Sequence, residues 1–207
     1  MRKITPQEEF WKGSFGNEYI ARNNDTNLIA SNIALFSDVL KHTQKVNSVI
    51  EFGSNIGLNL TAIKALVPSV ELTGIEINEE AFKYLNSLDY VIAVNCSMYD
   101  YNSTKTYDFV FTKGVLIHQN PAMLPKAYEM LYKFSNKYIF IAEYYNSSPV
   151  EINYRCNSEM LFKRDFAGEI LDKYHDLSLN NYGFVYRRDN LFPQDDLTWF
   201  LLEKRYL

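Results

Sequence analysis

Val49-Ile-Glu-Phe-Gly-Ser-Asn-Ile-Gly-Leu-Asn59 decides how this chain is read. A β-rich run from Val46 to Phe52 carries the acidic Glu51 to its end, Gly53 and Gly57 frame a tight turn, and a helical pattern runs from Ile56 to Leu66 until Pro68 stops it. A strand that turns through spaced glycines into a helix is the opening unit of a doubly wound α/β sheet, and a ligand is expected above the turn. In a dinucleotide site the glycines follow GxGxxG, which admits a pyrophosphate to the helix N-terminus. Here the spacing is Gly53-x-x-x-Gly57 with Asn55 between. Pyrophosphate is therefore disfavoured. Glu51 argues the same way, because a carboxylate repels phosphates and pairs with an ammonium group.

Outward from this unit the alternation continues. Val70 to Ile77 and Tyr90 to Asn95 read as the second and third strands, with a short helix from Glu79 to Leu85 begun by an Asn78 cap. Tyr107 to Thr112 is a fourth strand, Asn120-Pro121 opens a helix to about Phe134, and Lys137 to Tyr144 is a fifth strand. Five strands alternating with helices predict a parallel sheet. After an irregular stretch at 146–164, a helix near Phe166 to Tyr174 precedes two strand-like runs, Asp176 to Arg187 and Leu197 to Arg205. With no helix between them, these predict a terminal antiparallel hairpin. On the other side, Asp25 or Thr26 caps a helix through about Lys41, with Leu28, Ile29, Ile33, Phe36 and Leu40 on one face. The first 24 residues stand apart as a lid segment: a short helix at 8–12, then a covering loop through GSFGNEYIARNN. Residues 25–207 form the single main domain.

Composition sets the bounds. A chain of 207 residues, 47% hydrophobic and 22% charged with 8 Gly and 6 Pro, has apolar surface enough for one domain and excludes a disordered or linker-dominated polymer. The 21 basic against 25 acidic residues leave a net charge of -4, which disfavours nucleic acid as a partner. MRKITPQEEFW lacks the apolar run of a secretory signal and no apolar stretch is long enough to span a bilayer, so a soluble, cytoplasmic protein without a membrane partner is expected. Cys96 and Cys156 stand too far apart in sequence for a CxxC pair, so no metal is expected. The oligomeric state stays open.

A second carboxylate, Glu76, ends the second predicted strand 19 residues after Gly57, where an acidic side chain can accept both hydroxyls of a ribose. Ile77 follows it at the strand exit. An ammonium at one end and an unphosphorylated ribose at the other describe S-adenosylmethionine, with Ser97 and Met98 at the third-strand exit facing adenine. At this point the sequence resembles the class I S-adenosylmethionine-dependent methyltransferases, whose first motif is an acidic residue followed by spaced glycines, matched by Glu51, Gly53 and Gly57. Asn55 stands where the middle glycine is usual, and Asn tolerates left-handed backbone better than other non-Gly residues. The closer resemblance is to small methyltransferases associated with pseudaminic acid biosynthesis. It runs through EFWKGSFGNEYIARN, IEFGSNIGLNL, FTKGVLIHQNP, INYRCNSEMLFKRDFAGE and YGFVYRRDNLFPQDDLTWFLLEK, most of the chain. It implies a Rossmann-like seven-stranded, mostly parallel sheet with the last strand inserted antiparallel, and a bacterial surface-glycan setting.

The expected cofactor contacts are then Glu51, Gly53, Ser54, Asn55, Gly57, Asn59, Glu76, Ile77, Ser97 and Met98, joined by Lys113, Gly114 and Val115 after the fourth strand. Tyr19 and Arg22 close over the cofactor from the lid, Arg22 meeting its carboxylate. Catalytic candidates are His118, whose imidazole titrates near neutrality, and Glu143 with Tyr145 at the fifth-strand exit. Phe15, Tyr144, Tyr154 and Arg155 are expected around a small acceptor that is sugar-like or anionic, Arg155 clamping a carboxylate or phosphate. Lys163-Arg164-Asp165 reads as a capped helix start, and Arg187-Arg188-Asp189 as a turn without chemistry. The reaction expected is methyl transfer to an O or N atom of a sugar, nucleotide-sugar or other glycan precursor. The competing readings are a catalytically degenerate partner or regulatory subunit of the same fold, and a nicotinamide oxidoreductase, for which the phosphate loop is missing.

Overall fold

Phe109, Phe111 and Phe140 face one side of the sheet while Val110, Ile139 and Ile141 face the other, and all six are buried. Strands apolar on both faces need helices on both faces. The computed structural model, which describes residues 2–23 and 27–205, supplies them. Strands β1 (Ser48–Phe52), β2 (Glu71–Glu76), β3 (Val91–Asn95), β4 (Tyr107–Lys113) and β5 (Ser135–Glu143) run parallel. A two-stranded piece, β6 (Val150–Glu151) with β7 (Phe162–Lys163), follows. Then β8 (Leu177–Val185) and β9 (Leu197–Lys204) form an antiparallel hairpin. The main sheet has seven strands in the order β3-β2-β1-β4-β5-β9-β8, with β9 inserted antiparallel between β5 and β8.

Helix α3 (Asn27–Leu40) and helix α4 (Leu58–Leu66) pack together on one face, burying Leu35, Phe36, Val39, Leu60 and Ile63 against the phenylalanines of β4 and β5. Helix α5 (Glu79–Asn86) adds Leu85 to that layer. Helices α6 (Leu124–Phe134) and α7 (Phe166–Lys173) cover the other face with Leu131, Phe134 and Ile170. Each fully buried aliphatic side chain contributes about 1.5–3 kcal/mol of transfer free energy. The order reverses between β1 and β4, so the crevice of a doubly wound sheet opens above these two strands.

Within the stretch expected as a covering loop, residues 14–22 are helical instead. Residues 6–22 form two helices, α1 (Pro6–Lys12) and α2 (Ser14–Arg22), separated by an extended Gly13. The signal was local: Thr5-Pro6-Gln7-Glu8 is a capping box with Pro at the first turn, in which the Thr5 side chain accepts from the Glu8 N–H and the Glu8 carboxylate accepts from the Thr5 N–H at 3.0 Å. Asn120-Pro121 opens a 3₁₀ turn, Pro121–Met123, before α6 starts. The stretch 146–164 contains the β6–β7 piece. The expected caps Asp25 and Thr26, and the boundary after residue 24, lie outside the described residues. Among the described residues no helix is long and apolar enough to cross a membrane, and no cluster of side chains could hold a metal ion.

Candidate functional site

The β1–α4 turn is held by its backbone. Gly53 has φ +80, and its N–H and that of Ser54 donate to the Ile75 carbonyl at 2.8 and 3.0 Å, tying the turn to β2. A Cβ on Gly53 would stand 2.5 Å from Val115 Cγ2, so both backbone angle and space call for glycine. Asn55 adopts φ +47, the left-handed conformation that its side chain tolerates. Its N–H donates to Glu76 Oε2 at 2.7 Å, and the Asn78 N–H donates to Glu76 Oε1 at 2.7 Å. The β2-tip carboxylate is thus oriented by backbone on both oxygens, while each oxygen keeps acceptor capacity. Burial raises the Glu76 pKa, and these N–H groups counter it.

A cavity of about 430 Å³ opens above this turn. Of the expected cofactor residues, Tyr19, Gly53, Ser54, Asn55, Asn59, Glu76, Ile77, Ser97, Met98, Lys113, Gly114 and Val115 line it. A Cβ built on Gly114 meets nothing within 4 Å, so the floor beside β4 is open. Three residues are placed otherwise. Glu51 is fully buried one layer behind the wall: its Oε1 accepts from Asn59 Nδ2 at 2.6 Å, while its Oε2 and Asn59 Oδ1 have no partner. Burial pushes the Glu51 pKa up to about 8, against the Asn59 bond and the Lys113 ammonium. Gly57 does not line the cavity but starts α4 at φ +86, close against Leu85 and Leu88. Arg22 stays outside, paired with Glu18 at 3.5 Å and stacked on Phe15 and Tyr19. The cations that do line the cavity are Arg187, from the β8–β9 connection, and the buried Lys113 at the end of β4. Burial lowers the Lys113 pKa and the carboxylates of Glu51, Asp195 and Glu143 counter that.

Helices α1 and α2 roof the cavity with Gln7, Glu8, Trp11 and Tyr19. They dock through side chains: Ser97 Oγ donates to Glu8 Oε1 at 2.6 Å, Arg2 pairs with Glu8 and Asp100, and Asn78 Nδ2 donates to Asn17 Oδ1 at 2.8 Å. Burial works against ionised Glu8, yet Arg2, the Ser97 hydroxyl and the Thr5 N–H bring its pKa down to about 2.

On the acceptor side the expectations fare differently. His118 lines the cavity, and its Nδ1 donates to the Met160 carbonyl at 2.6 Å, which leaves Nε2 as an acceptor. Burial depresses its pKa to about 4, so the ring is neutral at pH 7. Glu143 and Tyr145 do not fit catalytic roles. The Glu143 carboxylate accepts the N–H groups of Val115, Leu116 and Ile117 at 3.1, 3.0 and 3.4 Å, fixing the turn after β4, and it lies outside the cavity. Burial raises it to about 7 despite those bonds. Tyr145 is 44% exposed and packs on Phe200.

None of the four expected acceptor residues lines the cavity. Phe15 stacks on Phe10 at 4.1 Å, Tyr154 packs against His118 and Phe15, and Arg155 is exposed with its guanidinium over Tyr154. Tyr144 is half-buried behind the wall, its hydroxyl bonded to Asp195 and its ring under Lys163. The sequence reading missed the β8–β9 connection altogether: Arg187, Pro193, Gln194 and Asp195 line the cavity, so the turn assigned no chemistry borders the site. Only the hairpin topology brings this segment back over β1 and β4, and nothing local in its sequence signals that.

No family model matches the chain, and no curated protein matches it. Solved structures do. The Burkholderia thailandensis 1,6-didemethyltoxoflavin-N1-methyltransferase, with bound 1,6-didemethyltoxoflavin and S-adenosylhomocysteine, is similar with a TM-score of 0.72 at 12% identity, over 100% of this chain and 93% of that one. The plantazolicin methyltransferase BpumL, in complex with a pentazolic desmethylPZN analog and S-adenosylhomocysteine, gives 0.67 at 17% identity over 96% and 95%. The O-methyltransferase from a trans-AT PKS multienzyme of Brevibacillus brevis, with S-adenosylhomocysteine, gives 0.66 at 12% over 99% and 81%. At these identities the likeness concerns the fold: the chain has the class I methyltransferase fold.

Proposed function

We propose that this chain is an S-adenosylmethionine-dependent methyltransferase. Its methyl group goes to an O or N atom of a small polar acceptor, for which a sugar, nucleotide-sugar or other surface-glycan precursor is the proposed class. The observation that carries the reading is Glu76, lining the cavity with both carboxylate oxygens steadied by backbone N–H groups, directly beside the Gly53 turn. The residues fit the cofactor. Glu76 takes the ribose hydroxyls, the orphaned Glu51 Oε2 and Asn59 Oδ1 suit an ammonium, and Ser97 with Met98 borders adenine. Lys113 replaces Arg22 as the cation for the carboxylate end. Helices α1 and α2, with the segment to residue 24, act as the lid. The bound solved structures support the same cofactor.

The bound cofactor supplies a methyl group already activated on a sulfonium. The protein's own work is to hold an acceptor atom in line with it and to keep water out, and such positioning is worth roughly 7–11 kcal/mol. Neutral His118, its tautomer fixed by Met160, offers Nε2 as an acceptor for a hydroxyl or amine proton; at a pKa of about 4 its work is orientation more than proton removal. The aromatic roof of Trp11 and Tyr19 supports stacking of a ring-shaped acceptor, and the sugar assignment itself rests on the sequence segments that resemble pseudaminic acid-associated methyltransferases. A screen of nucleotide-sugars for released S-adenosylhomocysteine tests this, alongside calorimetry with S-adenosylmethionine and NAD. Turnover of one acceptor class with binding of the first alone is expected. NAD binding, or no binding of S-adenosylmethionine, contradicts it.

A further inference from the structure

The β8–β9 connection is tied to α3 through the Gln194 side chain. Gln194 is 7% exposed, and its Nε2 donates to the Ser31 carbonyl of α3 at 2.7 Å. Its Oε1 lies fully buried without a hydrogen-bond partner, although Gln194 lines the cavity. Because the amide nitrogen is committed to Ser31, the amide cannot turn over to put a donor in that place. What the side chain leaves without a partner is therefore an acceptor.

Two other residues at or behind the cavity wall share this condition. Ser31 is followed in α3 by Asn32, also in the cavity wall, and α3 packs along α4, whose first turn carries Asn59. Asn59 Oδ1 and Glu51 Oε2 behind it are orphaned in the same way. Three buried oxygens with no protein donor, one of them on a carboxylate, are the complement of a group with several N–H donors and a positive charge, a primary ammonium.

We propose that Gln194 Oε1 accepts a hydrogen bond from the ammonium at the amino-acid end of the cofactor, so that the β8–β9 connection is part of the cofactor site. This rests on the S-adenosylmethionine reading above. The tether to Ser31 makes Gln194 both a strut for the loop and a ligand contact, and the two roles separate experimentally.

The test is calorimetric titration of the full chain, as wild type, Gln194→Ala and Gln194→Met, with S-adenosylmethionine, S-adenosylhomocysteine and 5′-methylthioadenosine. The last keeps the nucleoside and lacks the amino-acid end. Both variants are expected to lose about tenfold or more in affinity for the first two, as for a lost hydrogen bond to a charged group, and about twofold or less for the third. Retained binding of 5′-methylthioadenosine also reports that the variant is folded. Unchanged affinity for S-adenosylmethionine, or an equal loss for all three, overturns the inference while leaving the cofactor reading intact. A wild type that binds none of the three overturns both.

Discussion

The two halves of the cavity are built by different means. On the side of β1, β2 and β3, the wall comes from a glycine-framed turn, a helix start and Glu76, with Glu51 buried behind it on the adjacent parallel strand. On the side of β4, β5 and the β8–β9 connection, the wall comes from segments far apart in sequence: Trp11 and Tyr19 of the roof, Lys113 at the end of β4 with His118 after it, Gln194 and Asp195 of the hairpin. The first half is local backbone geometry and the second is tertiary assembly. One half of the cavity is therefore encoded where a short motif can specify it, and the other where only the finished fold can.

Gly53→Val attacks the first half at its most constrained point and carries the largest expected effect. A side chain at φ +80, with its Cβ 2.5 Å from Val115, should cost more than about 3 kcal/mol or abolish folding, read by thermal melting. A stable variant would mean that the turn is not rigid. Next is Glu76→Ala, expected to weaken S-adenosylmethionine binding about 100-fold by calorimetry through loss of charged hydrogen bonds to the ribose.

Glu51 sharpens the contrast through pH. Its pKa is raised to about 8 in the fold from an ordinary value of 4.5, so the folded state holds the proton more tightly. Its contribution to stability is greatest below 4.5 and falls as pH rises toward 8. A cationic ligand favours the ionised form, so affinity should move the opposite way and rise several-fold between about pH 6 and 8. Glu51→Gln should flatten both slopes, and a titration series across buffers checks it. The smallest effect is expected in the other half: Arg155→Ala should change melting by less than about 0.5 kcal/mol and leave turnover unaltered. A large loss of turnover would return the 152–164 segment to the acceptor site.

The sheet was legible because its signals are local. Alternating apolar runs, the Asn78 cap and Pro68 marked the elements, and Asn55 was readable as a residue able to stand left-handed. The roof was legible in principle through the Thr5–Glu8 capping box, but two glycines in 13–16 masked helix α2 as a loop. Glu143 misled because an acidic strand end looks alike whether it faces a ligand or caps a turn; its three backbone N–H donors decide for the turn. Arg155 and Tyr145 stand outside the cavity because chain proximity to a strand exit does not fix the direction of a side chain. Gln194 left no trace in local sequence, since its place depends on β9 threading between β5 and β8.

A crystal soaked with S-adenosylhomocysteine tests the central claim most directly. The account requires the nucleoside above the β1–α4 turn, with both ribose hydroxyls on the Glu76 carboxylate and the amino-acid end toward Asn59. Density for the nucleoside elsewhere, or a Glu76 carboxylate with no ribose on it, would contradict the account.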